Sequence, residues 1–98
     1  SRVPALLARW QPTVGVQAAE WRVRNMRTRW GSCNVPARRV WLNARLAAWP
    51  PECLELVTVH ELTHLLVPNH SPRFYVRLES FLPGWRRVQS RLNAPPCG

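Results

Sequence analysis

The order of extended and helical patterns in this 98-residue sequence predicts one α+β domain. Apolar residues alternate with arginines through residues 20–30, and this period of two is typical of strands. Residues 50–67 carry the strongest helical pattern in the chain, and further helical patterns follow it. Hydrophobic residues make up 46% of the chain, with six tryptophans, which is enough for one modest core but not for two. We therefore expect a single domain over residues 1–98.

The first segment, VPALLARWQP, predicts a short helix. Its apolar residues Leu6, Leu7 and Trp10 lie on one side when they are placed on a helical wheel. We expect this helix to stop before Pro12, because proline lacks the amide hydrogen that continues the helical ladder.

The alternating segment loses its phase at Asn25, which indicates either a bulge or a turn between two strands. NVPA at 34–37 is a turn signal, and RRVWLN at 38–43 reads as the next strand. Two or three strands are therefore expected in the first half of the chain.

The long helical segment can place Pro51 in its first turn, where a missing amide hydrogen costs nothing. Pro68 is expected to end the helix near Leu66 or Val67. The apolar face is predicted to consist of Leu54, Val57, Leu62 and Leu65. A second helix should open with Ser71 as its cap and run to about Phe81, and 83–93 predicts a short final helix.

The charge of the chain is strongly positive, at +9, and all 14 basic residues are arginine. Such a balance favours acidic partners such as phosphates, nucleotides or nucleic acid, although a solvated surface with a bias towards arginine explains it equally well. No apolar run approaches the roughly 20 residues of a membrane span, and no signal-peptide pattern opens the chain. We expect no membrane association.

The three cysteines form no CxxC pair, which argues against both a disulfide framework and a cysteine-rich zinc site. A reducing, cytoplasmic setting is therefore expected, with Cys33 and Cys53 packed inside. Since the only methionine is Met26, we expect the chain to be part of a longer protein.

The motif HELTH at 60–64 carries the chemistry that the sequence predicts. His60 and His64 are four residues apart on the long helix, so both imidazoles lie on one face and can bind one zinc ion. Glu61 lies about 100° further round the helix, where it can reach a water on that metal and act as a general base. A chance match would usually lie on a solvated face, whereas this one lies in an apolar helix where unpaired polar groups are costly.

Two residues are candidates for the third ligand. His70 follows the helix break at Pro68 and can turn back to the same metal, while Glu79 on the next helix is the competitor. We favour His70, although it also fits as a surface histidine beside a helix cap. Three protein ligands and one open position are typical of a catalytic zinc site.

Four segments, MRTRWGSC, WLNARLA, VTVHELTHLLVPNHSPRFY and LPGW, together resemble the YgjP-like metal-dependent hydrolases, relatives of the SprT and WLM metallopeptidases. The resemblance runs from about Glu20 to Trp85. It implies a minimal zincin-like domain, in which a small sheet and flanking helices pack on the metal-site helix, and a chain that is the C-terminal, catalytic part of a longer one. It also implies one zinc ion held by His60, His64 and His70, with Glu61 as catalytic acid and base.

The resemblance further implies that the strand RTRWGSC lies beside the metal-site helix. On it, Arg27 and Arg29 either contact an anionic substrate or form a solvated face, while Trp30 and Cys33 are expected in the core. Asn69 is a candidate for orienting the site through hydrogen bonds. Tyr75 either donates to a developing oxyanion or is a core or rim residue.

The function predicted first is a zinc-dependent metallopeptidase acting on peptides. The resemblance leaves open a nucleoside triphosphate pyrophosphatase of the UTP type, which the arginine excess would suit. A third reading is a non-catalytic nucleic-acid-binding module with a structural metal, although Glu61 would then have no role. The sequence predicts no oligomeric state.

Overall fold

The computed structural model of the protein describes residues 2–92, and within them it confirms the α+β class. In chain order the elements are α1 (Val3–Val14), β1 (Glu20–Arg24), β2 (Gly31–Asn34), β3 (Arg39–Asn43), a 3-10 helix (Ala44–Ala48), α2 (Pro51–His64), α3 (Pro72–Phe81) and α4 (Trp85–Arg91). None of the helices in this part of the chain is long and apolar enough to cross a membrane.

The three strands form one sheet in the order β1-β3-β2, so β3 is central and β2 lies at an edge. The central strand runs parallel to β1 and antiparallel to β2. Its residues Val40 and Leu42 are fully buried on the face that α2 covers. Because successive side chains of a strand point to opposite faces, Trp41 and its cross-strand neighbour Ser32 lie on the other, outer face.

Residues 25–30 form a connecting loop, so the predicted strand RTRWGSC is wrong over its first half. The side-chain amide of Asn43 donates hydrogen bonds to the carbonyl oxygens of Met26 and Arg29, at 3.0 and 2.8 Å. These bonds tie the loop to the end of β3 and satisfy carbonyls that a strand would have paired in the sheet. The break in phase at Asn25 therefore marks a turn out of β1 rather than a bulge.

Helix α1 continues through Pro12 to Val14, although it was predicted to stop before the proline. Its buried residues are Val3, Leu7, Trp10 and Val14. The apolar side thus extends two residues beyond the proline, and the packing of α1 on α2 offsets the hydrogen bond that Pro12 cannot make. Gly15 then ends the helix in the left-handed conformation, with a φ of 85°, and its amide donates to the Gln11 carbonyl.

Helix α2 lies at the centre of the domain and contacts the sheet, α1, α3 and α4. Leu54, Val57 and Leu62 of the predicted apolar face are buried, and Leu65 is half-buried just beyond the helix end. Burial extends further than predicted, since every residue from Cys53 to His64 except Glu55 is buried. The helix also ends at His64, earlier than predicted. The cause is Pro68, which cannot donate to the His64 carbonyl and disfavours helical geometry in the residue before it.

The two remaining helices were predicted correctly in position. Pro72 occupies the first turn of α3, but the Ser71 side chain makes no capping hydrogen bond, and its backbone carbonyl instead accepts from the Phe74 amide at 3.0 Å. Cys53 is buried and Cys33 is half-buried, as expected for packed thiols, while Cys97 lies outside the described residues.

Candidate metal centre

Three imidazole rings converge at the end of α2. The Nε2 atom of His70 lies 3.2 Å from Nε2 of His60 and 3.0 Å from Nε2 of His64. All three candidate ligand atoms lie within 4.8 Å of one another. A tetrahedral zinc ion with bonds of about 2.0–2.1 Å places neighbouring ligand atoms about 3.3 Å apart, so the two spacings to His70 suit ligands of one ion.

The chain brings His70 to the pair through the helix break that the sequence predicts. His60 and His64 are buried on the last two turns of α2, whereas His70 is exposed and approaches from the turn after Pro68. The Asn69 side chain accepts a hydrogen bond from the Ser71 amide at 3.2 Å. Asn69 therefore shapes the turn that carries His70, and within the described residues its bond is to the backbone rather than to an imidazole.

The ring of His64 is fixed by the chain just beyond the helix. Its Nδ1 atom lies 3.2 Å from the Val67 carbonyl oxygen. Because a carbonyl only accepts, Nδ1 carries the proton and the lone pair of Nε2 points towards the other two rings. Ligating histidines are commonly oriented in this way by a backbone carbonyl.

The environment keeps the buried histidines neutral, which is the form that binds metal. Burial, together with the nearby His64 and His70, lowers the pKa of His60 to about 3. Burial also lowers the pKa of His64, while its hydrogen bond to the Val67 carbonyl opposes this shift.

Phe74 of α3 forms the floor beneath the three rings and is fully buried. Its ring centroid lies 4.9 Å from that of His60, 4.5 Å from that of His64 and 5.1 Å from that of His70. Tyr75 is half-buried at the rim, where its ring stacks against His70 at 6.1 Å. Sequence reasoning missed Phe74, although an apolar residue in the first turn of the helix that follows His70 was the available signal.

Glu61 points from α2 towards the edge strand β2 and is fully buried. Neither carboxylate oxygen has a hydrogen-bond partner among the described residues. Burial raises the pKa of Glu61 well above its usual range, and the positive charge of Arg29 opposes the shift. Burial, with a contribution from the Glu61 charge, raises the pKa of Cys33 to about 11, so β2 lies against this carboxyl group.

Gly31 is the point of closest approach between β2 and the Glu61 side chain. A Cβ atom placed on it would lie 2.9 Å from Glu61 Oε2 and 2.7 Å from Val57 Cγ1. Only glycine therefore lets the strand lie this close to the helix. The sequence signal for this residue was an isolated glycine in a strand pattern, which indicates a close backbone approach.

Three other candidates lie away from the imidazole cluster. Glu79 is exposed and accepts a hydrogen bond from the Gly84 amide at 3.1 Å, and the cluster of possible ligands found in residues 2–92 does not include it. Arg27 and Arg29 are both exposed on the loop before β2, where they line a groove. Of these two, Arg29 is the one whose charge acts on Glu61.

The fold is similar to those of two archaeal proteins whose crystal structures are described as metallopeptidase zymogens. Abylysin of Pyrococcus abyssi matches with a TM-score of 0.79 and 22% identity, over 96% of this chain and 98% of its own. Jannalysin of Methanocaldococcus jannaschii matches with a TM-score of 0.76 and 15% identity, over 95% of this chain and 93% of its own. At these identities the likeness establishes the zincin-like fold.

A search of curated proteins finds no significant match. The sequence profile of the family described as YgjP-like, metallopeptidase domain, matches residues 1–95. This match spans the sheet, the imidazole cluster and the helices around it, and it agrees with the resemblance seen in the sequence motifs. The chain belongs to the YgjP-like family of metallopeptidase domains.

Proposed function

We propose that the protein is a zinc-dependent metallopeptidase whose metal ligands are His60, His64 and His70. The convergence of three Nε2 atoms, with spacings of 3.0 and 3.2 Å to His70, carries this proposal. Two of the rings are held in a neutral state by burial, and that state leaves a lone pair for metal. Three imidazole ligands with an open fourth position suit catalytic zinc, and membership of a metallopeptidase-domain family supports hydrolysis.

Glu61 is the proposed general base. Zinc at this position would supply Lewis acidity, polarising the scissile carbonyl and lowering the pKa of the attacking water. Glu61 accepts the proton of that water and passes it to the leaving amine. Its burial without hydrogen-bond partners favours this role, because a carboxylate in an apolar pocket has an increased proton affinity.

The substrate in this proposal is an extended peptide lying along β2. That strand pairs with β3 on one side, and its other edge is free of any described strand. A free edge can bind a peptide backbone through its amide and carbonyl groups. Tyr75, stacked beside His70 at the rim, is the proposed donor to the developing oxyanion. For Arg27 and Arg29 we propose an anionic ligand, argued below.

Metal analysis with matched variants tests the ligand set. Protein purified without chelator is expected to hold about one equivalent of zinc. His60→Ala should lose this zinc, whereas Glu61→Gln should keep it and lose turnover. Glu79→Gln is the control, since it removes a carboxylate from the exposed surface of α3, outside the imidazole cluster. Loss of zinc in Glu79→Gln, or full activity in Glu61→Gln, would contradict the assignment.

An assay of the zinc-loaded protein against a mixed peptide library and the four ribonucleoside triphosphates tests the reaction. Peptide cleavage without release of pyrophosphate is the expected result. Pyrophosphate release alone would instead identify a nucleoside triphosphate pyrophosphatase, which neither the family nor the fold supports. Zinc binding with neither activity would leave a structural metal, a role that usually takes four protein ligands rather than three.

A further inference from the structure

We propose that a groove on the outer face of the sheet binds single-stranded nucleic acid. The groove has a volume of about 370 Å³, and its lining includes Arg24, Arg27, Arg29, Ser32 and Trp41. We call it the arginine groove. It lies on the opposite side of the sheet from α2, since Ser32 and Trp41 pair across the outer face. The groove therefore faces away from the imidazole cluster, although it borders β2, the strand along which the peptide is proposed to bind.

The three arginines of the groove are exposed and lack a carboxylate at ion-pair distance within residues 2–92. Their neighbours on the same face differ, because Arg22 and Arg39 both pair with Glu20, at 2.8 and 2.7 Å. Arg29 also acts on Glu61 through its charge, but that carboxyl is buried behind β2 and makes no contact in the groove. Three like charges around one groove favour an anion with several charged groups.

Trp41 adds an aromatic surface to this charge. It lies half-buried in β3 and lines the groove beside the arginines. Proteins that bind single strands combine a basic groove that follows the phosphates with aromatic rings on which the bases stack. This combination is not evident from the sequence, because Trp41 lies 12 residues or more from the groove arginines. The pairing of β2 with β3 brings them together.

A nucleic acid can contact both the arginines and the tryptophan of the arginine groove, whereas an acidic peptide matches only the arginines. The Arg39 guanidinium lies over the Trp41 ring, 5.7 Å from its centroid. Carboxylates would satisfy the groove arginines but could not stack on the remaining indole surface. Phosphates match the planar fork of arginine, and the adjacent bases can cover the ring. Single strands are favoured over duplexes because their bases are free to stack on a side chain.

Fluorescence anisotropy with labelled oligothymidylate of about 12 nucleotides, titrated at several salt concentrations, tests the proposal. If three phosphates are neutralised, log K should fall with log[salt] with a slope of about −2, because each contact on a single strand contributes about −0.7. The double variant Arg27→Gln/Arg29→Gln should reduce the slope to about −0.7. Trp41→Leu should weaken binding roughly fivefold or more while leaving the slope unchanged.

The matched control is Arg73→Gln/Arg77→Gln, which removes the same net charge from the exposed surface of α3. Its slope should equal that of the wild type, and thermal melts should show that every variant is folded. Equal losses in the two double variants would overturn the proposal, because binding would then reflect net charge alone. Displacement of the oligonucleotide by polyglutamate at the same charge concentration would also overturn it and assign the groove to acidic peptides. Absence of saturable binding at low salt would exclude the site altogether.

Discussion

Substitution of Gly31 by alanine tests how the edge strand holds Glu61, the proposed general base. The added Cβ would lie 2.7 Å from Val57 Cγ1, 2.9 Å from Glu61 Oε2 and 3.0 Å from Glu61 Cγ, whereas ordinary contacts begin at 3.4 Å. Either β2 or the Glu61 side chain must therefore move by roughly half an ångström or more. Overpacking of this kind typically costs about 1–3 kcal/mol of stability. Misplacement of a catalytic group by about 1 Å can lower kcat about 100-fold.

The assay combines peptide hydrolysis, zinc content and thermal unfolding of Gly31→Ala and of the double variant Gly31→Ala/Val57→Ala. Removing the Val57 methyl groups opens space for the new Cβ, so the double variant should be more stable than the sum of the two single effects predicts. The overlap with Glu61 remains, so activity should stay low while zinc is retained. Ser32→Ala, on the same strand but on the outer face, is the control and should keep full activity.

Two results would refute this reasoning. If Gly31→Ala keeps kcat/KM within about twofold of the wild type, the close approach of the strand does not position Glu61. If Val57→Ala restores activity together with stability, the loss in Gly31→Ala was an effect on folding. A shift in the pH dependence of kcat in Gly31→Ala would support the positioning role, since strand packing alone would leave the basicity of Glu61 unchanged.

Three further predictions concern the imidazole cluster. His70→Ala should weaken zinc binding by at least 100-fold in a competition with a chelator, while Glu79→Gln should leave it unchanged. Phe74→Ala removes the buried floor of the cluster, so we expect a loss of about 3–5 kcal/mol in urea unfolding together with weaker zinc binding; a loss below 1 kcal/mol would contradict the packing. The third prediction concerns metal-free Glu61→Gln. The lowered pKa of His60 means that the folded state binds a proton less readily than the unfolded state does. The free energy of unfolding should therefore be highest above pH 6.5 and should fall by about 2 kcal/mol between pH 6.5 and 5. Constant stability over this range would show that His60 is accessible to protons.

The elements that the sequence predicted best are those whose signals are local. Pro72 and Pro51 mark helix starts because proline fits the first turn, and both helices begin at these residues. The convergence of His70 on the HELTH pair was also predictable, since Pro68 forces the chain out of the helix a few residues before it. In each case one residue with a strong steric constraint determined the local geometry.

The elements that the sequence did not predict depend on contacts between distant segments. The loop at 25–30 keeps an alternating pattern, but the Asn43 amide bonds its carbonyls and prevents strand pairing. Helix α1 passes Pro12 because its apolar side, which includes the buried Val14, packs against the core beside α2, and propensity does not describe such packing. The closeness of Gly31 to Glu61 likewise required the position of a strand against a helix 30 residues further along the chain.

The burial of α2 on nearly all sides lowers the stability of the domain at one residue. A small domain normally buries apolar helices, yet α2 also buries Glu61, whose two carboxylate oxygens lack partners in residues 2–92. An unpaired buried carboxylate costs several kcal/mol, which is a large share of the roughly 5–15 kcal/mol that stabilises a typical domain.

Because the folded pKa of Glu61 is raised, this penalty is absent well below its unfolded pKa and grows as the pH rises towards the folded pKa. Metal-free Glu61→Gln should therefore melt at a higher temperature than the wild type at pH 8, and the difference should shrink at pH 5. Calorimetry of both proteins, after chelator treatment, measures the effect. A lower melting temperature for the variant at pH 8 would mean that Glu61 is paired in solution. The expected gain would instead indicate that this carboxylate is kept for the reaction at the expense of the fold.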